Sequence, residues 1–258
     1  MGRDGFPPGT AETIDEILGG RLRIVQKKRG YRFSLDALLL AHFARLGSGE
    51  AIIDLGTGSG IVALILACLH PCSRILGIEI QEPMAEMARR SAVMNRLDRR
   101  VEIRRGDLRI PESLCPPASF DAAVCNPPYR RLGSGRMNPD PEKTAARHEI
   151  AGTVAEFLAA AAYALREGGR LYTIYPAARA VELLYRMRLS RLEPKGLRLV
   201  HSRCDSGAQL VLAEGVKGGG EQLSVAPPLF IYEQKGGYSA EMISIFQALS
   251  SFPSDDDG

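Results

Sequence analysis

From residue 51 onward, short apolar runs alternate with longer stretches in which apolar residues recur every three or four positions. The short runs are typical of buried strands, and the longer spacing is typical of helices with one buried face. The alternation predicts an α/β fold in which a mostly parallel sheet carries helices on both faces. The predicted strands are residues 51–55, 74–80, 101–105, 120–125, 170–175, 197–202, 209–213 and 229–232. The predicted helices are residues 60–69, 83–95, 153–165, 178–189 and 239–246.

The two ends of the chain differ in character from its middle. Residues 1–12 contain two prolines and no apolar stretch of the kind found in a signal peptide, so we expect a flexible tail there. Residues 249–258 carry three consecutive aspartates and predict a second, acidic tail. Between the tails we expect an N-terminal extension at residues 13–48, packed beside the functional site, and one main domain at residues 49–248.

Composition mainly excludes classes of protein. The net charge is +3, and no run of 18 apolar residues could span a membrane. Five cysteines without paired spacing argue against a disulfide framework and favour a reducing compartment, so we expect a cytoplasmic protein. Cys68 and Cys72 lack the second Cys or His pair that a zinc site needs, and we expect no metal. We further expect a monomer or a weak homodimer.

The strongest motif follows the first strand of the main domain. It reads Ile53-Asp54-Leu55-Gly56-Thr57-Gly58-Ser59-Gly60. The glycines allow a tight turn and a close approach of the backbone to a ligand, and the next helix points its N–H groups at the same place. A dinucleotide would suit such a loop, but Asp54 would repel its phosphates and attract the cationic methionine end of S-adenosylmethionine. We therefore expect Asp54, Gly56, Thr57, Gly58 and Gly60 to bind that cofactor.

Acids also end the next two strands. Glu79, with Ile80 beside it, lies where a carboxylate can accept both ribose hydroxyls of the cofactor. Asp107 lies after the third strand and is expected to accept the adenine amino group, with Leu108 packing on the ring. A turn-forming Gly-Asp pair is the other interpretation of Gly106-Asp107.

The fourth strand runs directly into Asn126-Pro127-Pro128-Tyr129. An exocyclic amine on a planar group is a poor nucleophile because its lone pair is delocalised. The Asn126 side-chain carbonyl and the Pro127 backbone carbonyl can accept its two hydrogens and hold its nitrogen in line with a methyl group. Two prolines stiffen the turn, and Tyr129 can stack on a base. The motif predicts methylation of an amino nitrogen but suits adenine and a glutamine amide equally.

Arginines gather in two places around these motifs. One cluster spans residues 89–105, where solvated helix faces and nucleic-acid contact remain equally open interpretations. The other follows the catalytic motif at Arg130, Arg131 and Arg136. Because that position lies at the mouth of the site, the second cluster favours contact with a polyanionic substrate. The stretch that carries it, residues 130–147, exceeds a usual strand-to-helix connection, which favours a functional loop.

The glycine motif and the acids at strand ends resemble the Rossmann-like class I S-adenosylmethionine-dependent methyltransferases. That resemblance implies a seven-stranded, mostly parallel sheet whose last strand is antiparallel. Three further segments carry a closer resemblance: residues 32–43, residues 146–149, and residues 227–232 with 238–241. With Asn126 to Tyr129 they resemble the bacterial tRNA(Val) adenine-N6-methyltransferase family. That family implies a tRNA substrate and methylation of an anticodon-loop adenine, with no membrane partner.

Within this resemblance Phe33 and Asp36 would flank the cofactor. Arg147, His148 and Glu149 would order the loop over the substrate, and His148 is favoured as a structural partner over a general base because the amine needs no base before methyl transfer. One departure is Arg130-Arg131, where the family usually has an aromatic residue. Basic residues there suit phosphate contact, so both are candidate substrate residues.

Three alternatives remain at this point. A protein glutamine N5-methyltransferase of release factors shares the Asn-Pro-Pro-Tyr motif but usually carries a longer N-terminal domain. An rRNA or DNA amino methyltransferase is the second, although DNA enzymes commonly need a target-recognition domain. A non-catalytic RNA-binding protein that keeps the fold is the third, and the complete set of Asp54, Glu79, Asp107 and Asn126 argues against it.

Overall fold

The computed structural model describes residues 9, 11–28, 35–71, 73–129 and 152–251. A nine-stranded sheet forms its centre, and a separate two-stranded hairpin precedes it. The strands are β1 (Glu12–Ile17), β2 (Leu22–Lys27), β3 (Ala51–Leu55), β4 (Arg74–Glu79), β5 (Val101–Arg105), β6 (Phe120–Cys125), β7 (Leu165–Pro176), β8 (Leu192–His201), β9 (Ala208–Lys217), β10 (Ser224–Val225) and β11 (Leu229–Phe230). The helices are α1 (Leu35–Phe43), α2 (Ile61–Leu69), α3 (Glu82–Met94), α4 (Val154–Ala164), α5 (Ala180–Leu189) and α6 (Ala240–Ser250), with 3₁₀ turns at Pro111–Ser113 and Ala177–Arg179.

The order of strands in the large sheet is β10-β8-β9-β7-β6-β3-β4-β5, and β11 also pairs with β8. Strand β9 runs antiparallel to both of its neighbours, and the other pairings are parallel. Seven strands therefore form the expected α/β sheet with its last long strand antiparallel. Two strands of two residues each add to β8 at the edge: β11 lies within the strand predicted at residues 229–232, and β10 was not predicted.

Both faces of the sheet are buried, as its near-continuous apolar strands predict. Helices α1, α2 and α6 contribute to the core on one face, where α2 is apolar at almost every position. Helices α4 and α5 close the other face with the inward side chains of β6, β7 and β9. A capping box at Thr153 and Glu156 begins α4, since each of these side chains bonds the other residue's backbone N–H.

The hairpin of β1 and β2 was not predicted from the sequence. It docks on α3, whose polar side chains bond the free backbone edge of β2. Ser91 Oγ accepts from the Val25 N–H at 2.9 Å, and Asn95 both accepts from and donates to the Arg23 backbone. Glu12 is the first residue of β1, so this residue belongs to the hairpin and not to the tail predicted at residues 1–12.

The register of the parallel strands places the acidic and catalytic positions together. Asp54 is level with Gly77 of β4, and Leu55 is level with Cys125 of β6. The carboxyl ends of β3, β4, β5 and β6 therefore meet along one edge of the sheet. The chain reverses direction of winding between β3 and β6, and ligands of open α/β sheets bind beside such a switch point.

Candidate active site

The glycine loop between β3 and α2 has a backbone conformation that residues with a side chain rarely adopt. Gly56, Gly58 and Gly60 have φ values of 71°, 59° and 83°, all in the left-handed region. A Cβ on Gly56 would also lie 2.7 Å from the ring of Phe157 in α4. The loop therefore keeps this shape only with glycine, as the sequence predicted.

Asp54 is buried at the end of β3. The Thr57 hydroxyl donates to its Oδ2 at 2.6 Å, which holds the carboxylate toward the glycine loop. Burial raises the pKa of Asp54 to about 7, and the negative charge of Glu79 acts in the same direction. A buried acid with so raised a pKa favours a nearby cation, because a positive charge would offset its desolvation.

Glu79 is also buried and orders the loop from the neighbouring strand. Its Oε2 accepts from the Gly58 N–H at 3.1 Å and its Oε1 from the Gln81 N–H at 2.9 Å. Burial raises the pKa of Glu79 above its ordinary value. The Gln81 side chain and the Ile80 backbone also contact this carboxylate, so a ligand hydroxyl would have to share or displace part of this set.

Asp107 is more exposed than the other two acids and has a partner within the chain. Arg109 binds both of its oxygens, at 2.9 Å and 2.6 Å, and this pair lowers the pKa of Asp107. Leu108 packs partly against the core beneath, and Ile80 lies half-buried beside Glu79. The predicted contact of Asp107 with an adenine amino group thus requires Arg109 to share the carboxylate.

Asn126 to Tyr129 leave the sheet at the carboxyl end of β6, next to the glycine loop. Pro127 is buried, Asn126 and Tyr129 are half-buried, and Pro128 is exposed. Among the described residues, none donates to or accepts from the Asn126 side-chain amide. No described residue therefore occupies its carbonyl, and the contact with a substrate amine stays a prediction.

Tyr129 is held by residues from two distant segments. Its hydroxyl donates to Asp36 Oδ2 at 2.7 Å, and its ring meets the edge of the Tyr175 ring with centroids 6.1 Å apart. The Arg179 Nη1 donates to the Tyr129 carbonyl at 3.3 Å, while the guanidinium stacks on Tyr175 and pairs with Glu182. Asp36 was predicted to flank the cofactor, and the structure places it against the catalytic motif.

Tyr175 and Arg179 were missed by the sequence analysis. Tyr175 lies near the carboxyl end of β7, and Arg179 lies shortly after that strand. Because β7 pairs in parallel with β6, its carboxyl end lies beside the catalytic motif, and a prediction of that pairing would have indicated both residues. Cys125, directly before the motif, is a different matter. Burial raises the pKa of its thiol to about 12, so it stays protonated and is no nucleophile at neutral pH.

Many arginines of the cluster at residues 89–105 have structural contacts. Arg90 binds both oxygens of Glu12, Arg89 pairs with Glu82 and Glu86, and Arg100 donates to the Ala67 carbonyl. Arg104 pairs with Glu102. These contacts favour the interpretation as packed and solvated faces over nucleic-acid contact for those arginines.

Several predicted residues lie outside the described residues. They are Phe33, Arg130, Arg131, Arg136, Arg147, His148, Glu149 and Cys72. Within the described ranges no group of three or more His, Cys, Asp or Glu side chains could hold a metal ion. No helix among the same residues is long and apolar enough to cross a bilayer.

The site fits S-adenosylmethionine by its own chemistry. Asp54 and Glu79, two acids whose pKa values are raised by burial, provide acceptors for a cation and for hydroxyls. The first-turn N–H groups of α2 have no side-chain cap, so they can bind a carboxylate. Ser59 in the loop is buried, and its Oγ has no hydrogen-bond partner among the described residues. A buried orphan hydroxyl in a binding loop indicates a missing polar ligand or water.

Fold and site together define a class I methyltransferase. A family model described as "Methyltransferase small domain" matches residues 34–191, and the chain belongs to that family. By fold and family it is an S-adenosylmethionine-dependent methyltransferase.

Its curated relatives are bacterial tRNA1(Val) (adenine(37)-N6)-methyltransferases. The chain is 35% identical to one from Porphyromonas gingivalis over 71% of both chains. It is 30% identical to one from Actinobacillus succinogenes over 87% of this chain and 92% of that one. Across four of these relatives, two of them from strains of P. gingivalis, the matched segments span 61%, 63%, 66% and 71% of their length.

Solved structures confirm the fold. A predicted O-methyltransferase from Agrobacterium tumefaciens superposes with a TM-score of 0.68 at 22% identity, over 84% of this chain and 98% of that one. A geranyl diphosphate C-methyltransferase from Streptomyces coelicolor superposes with a TM-score of 0.53 at 17% identity, over 71% of this chain and 78% of that one. At these identities the likeness speaks for the sheet and its helices alone.

Proposed function

We propose that this protein transfers a methyl group from S-adenosylmethionine to the exocyclic N6 of an adenine in the anticodon loop of a tRNA. The observation that carries the proposal is the position of Asn126 at the carboxyl end of β6 beside the Asp54 loop, where its side-chain amide has no partner among the described residues. The relatives named for adenine(37)-N6 methylation of tRNA1(Val) support the choice of substrate.

The cofactor is assigned to the edge of β3, β4 and β5. Asp54 and the uncapped N–H groups of α2 would hold its charged methionine end, and Gly56 to Gly60 would let the backbone approach it. Glu79 would accept the ribose hydroxyls, in part by displacing the Gln81 side chain from its carboxylate. Asp107, Leu108 and Ile80 would surround the adenine ring. The cofactor supplies an electrophilic methyl group at this place.

The substrate amine is assigned to Asn126 and Pro127. The Asn126 Oδ1 and the Pro127 carbonyl would accept its two N–H groups, which fixes the nitrogen in line with the methyl group. These acceptors also stabilise the positive charge that develops on nitrogen as it is methylated, and the surplus proton then leaves to solvent. Cys125 takes no part because its thiol is buried and protonated.

An anticodon loop suits a half-buried site of this kind. Its bases are single-stranded and partly unstacked, so turning one outward costs little compared with a paired base. Arg130 and Arg131, which directly follow Tyr129 in the chain, would contact the phosphates beside the target, and we assign Arg147 and His148 to the same loop. A release-factor glutamine remains the second candidate because the motif suits its amide equally.

The test offers the purified protein labelled cofactor together with bulk tRNA, release factor or DNA as separate substrates. We expect label in the tRNA fraction as N6-methyladenosine, and Asn126→Ala should show none under the same conditions. Label that appears in release factor alone would refute the tRNA assignment. A wild-type protein without activity on any of the three, but with normal cofactor binding, would refute the amine assignment as well.

A further inference from the structure

Helix α5 has a second apolar side that faces outward. Val181, Tyr185 and Leu189 are 83%, 61% and 58% exposed, and they stand four residues apart along the helix. Residues with this spacing form one continuous ridge. The opposite face of α5 is buried through Leu183 and Met187 in the sheet core. The helix is therefore apolar on two opposite faces, and only one of them is buried against the sheet.

The ridge is longer than ordinary scatter of apolar residues on a surface. Single exposed apolar side chains need no explanation, but a contiguous set marks an interaction surface. Arg188 of the same helix pairs with Glu221 in the segment that follows β9. That segment carries two more exposed apolar side chains, Leu223 and Val225.

We propose that α5 forms the contact of a two-fold symmetric homodimer, in which it packs antiparallel against the same helix of a second copy. The apolar residues of the ridge are spaced symmetrically about Tyr185, since Val181 lies four residues before it and Leu189 four residues after it. An antiparallel pair centred on Tyr185 therefore places Val181 beside Leu189 of the partner subunit. Ridges of this i, i+4 kind pack together in the commonest class of helix crossing.

The charges on α5 favour the antiparallel arrangement. Glu182 and Arg188 lie three residues before and three residues after Tyr185, so each is level with the opposite charge on a reversed copy. A parallel pair would instead set Glu182 level with Glu182 and Arg188 level with Arg188. Glu182 already pairs with Arg179, and Arg188 pairs with Glu193. The gain across the interface is thus mainly avoidance of like charges.

A second copy of the chain fits this ridge better than RNA or the chain's own residues 130–151. RNA is bound through arginines, lysines and stacking aromatics, and here valine and leucine make up two of the three positions. The stretch at residues 130–151, which lies outside the described residues, is polar in sequence, and its large apolar residues are Leu132, Met137 and Ile150. A helix of 10 residues is about 15 Å long, which is small for a stable interface. The dimer should accordingly be weak and concentration-dependent.

The first experiment is sedimentation velocity over a wide concentration range. We expect the wild-type protein to shift from monomer toward dimer as concentration rises. Tyr185→Asp should abolish the shift, because it buries a charge at the centre of the contact. Ile243→Asp is the matched control, an equally polar change at an exposed apolar residue of α6, and it should leave the shift intact. The thermal unfolding midpoint of each variant shows that it is folded.

The second experiment tests the symmetry by cysteine pairing under mild oxidation, with Cys204→Ser as the background because Cys204 is exposed. A residue on a two-fold axis meets its own copy, so Tyr185→Cys should form a covalent homodimer. Val181→Cys alone should form none, whereas a mixture of Val181→Cys and Leu189→Cys should form a mixed dimer. The background protein alone reports pairing by the native cysteines.

Three outcomes overturn the proposal. A monomer at every concentration removes the dimer. A dimer that survives Tyr185→Asp uses another surface. A monomeric protein whose KM for tRNA rises with Tyr185→Asp assigns the ridge to RNA instead. None of these outcomes bears on whether Asn126 transfers methyl groups to tRNA, which is measured separately with dilute enzyme.

Discussion

The hydroxyl of Tyr129 donates a 2.7 Å hydrogen bond to Asp36, a residue 93 positions earlier in the chain. The contact joins the last residue of the catalytic motif to the first turn of α1, outside the strands that carry the cofactor motifs. Tyr129 is further fixed by Tyr175 and by Arg179. The N-terminal extension thereby takes part in positioning the motif.

Replacing Tyr129 by Phe should weaken this link while keeping the ring. We expect kcat/KM for tRNA to fall roughly fivefold to tenfold, because the motif loses one tether of about 1 kcal/mol. Asp36→Asn, which keeps an acceptor for the hydroxyl, should stay closer to wild type. Tyr163→Phe in α4 serves as the matched control. Unchanged kinetics in Tyr129→Phe would show that the tether has no catalytic role.

Arg179→Ala should lower kcat more than it raises the KM for cofactor, because Arg179 touches the motif and not the glycine loop. Arg179→Lys should rescue only part of the loss, since an ammonium cannot bind Glu182 with two nitrogens and stack on Tyr175 together. Arg186→Ala, a change at an exposed residue of the following helix α5, is the control. A purely structural role predicts a lower unfolding midpoint with normal kcat, and steady-state kinetics with thermal unfolding distinguish the two.

Asn126→Ala should reduce kcat at least 10²-fold, as removal of one aligned acceptor typically does in an active site. Cofactor affinity, measured by calorimetry, should remain within about twofold because the amide bonds no cofactor-loop residue. Asn126→Gln carries the same amide one methylene further out and should also be impaired. A kcat near the wild-type value in either variant contradicts the role assigned to this side chain.

Cofactor affinity should depend on pH through Asp54, whose pKa is raised to about 7 by burial. A cationic ligand binds the ionised form better, so affinity should fall as pH drops below 7, by up to about tenfold per unit, and level off above it. Asp54→Asn should weaken binding and flatten the profile. In Asp54→Asn some dependence of cofactor affinity on pH should remain, because burial also raises the pKa of Glu79. Calorimetric titrations between pH 6 and 8 measure it, and a wild-type affinity constant over that range would exclude Asp54 as the cation's partner.

Ser91→Ala should detach the N-terminal hairpin from α3. The Val25 N–H would lose its buried acceptor, at a cost of about 1–3 kcal/mol. For a domain of this size each kcal/mol lowers the unfolding midpoint by about 2–4 °C. Ser244→Ala removes an exposed hydroxyl from α6 and should leave the midpoint unchanged. Equal midpoints for the two variants would mean that the Ser91–Val25 hydrogen bond adds nothing to stability.

Local sequence determined the order of strands and helices from residue 51 onward and the places where acids and glycines end the strands. Those features follow from periodicity and from backbone requirements that only a few residues meet, as at Gly56 and Gly58. The Asn-Pro-Pro-Tyr chemistry was readable for the same reason, because its residue types and its position after a strand suffice. The seven long strands and the short β11 were predicted, whereas β10, only two residues long, is too brief to leave a pattern.

Tertiary structure alone decided the contacts between residues far apart in the chain. No periodicity indicates that Asp36 meets Tyr129, that Arg179 reaches the motif, or that Ser91 and Asn95 cap the edge of β2. The raised pKa of Asp54 likewise depends on burial and on Glu79, which comes from another strand. Such properties arise from long-range packing, in which a side chain's partners are set by the path of the whole chain.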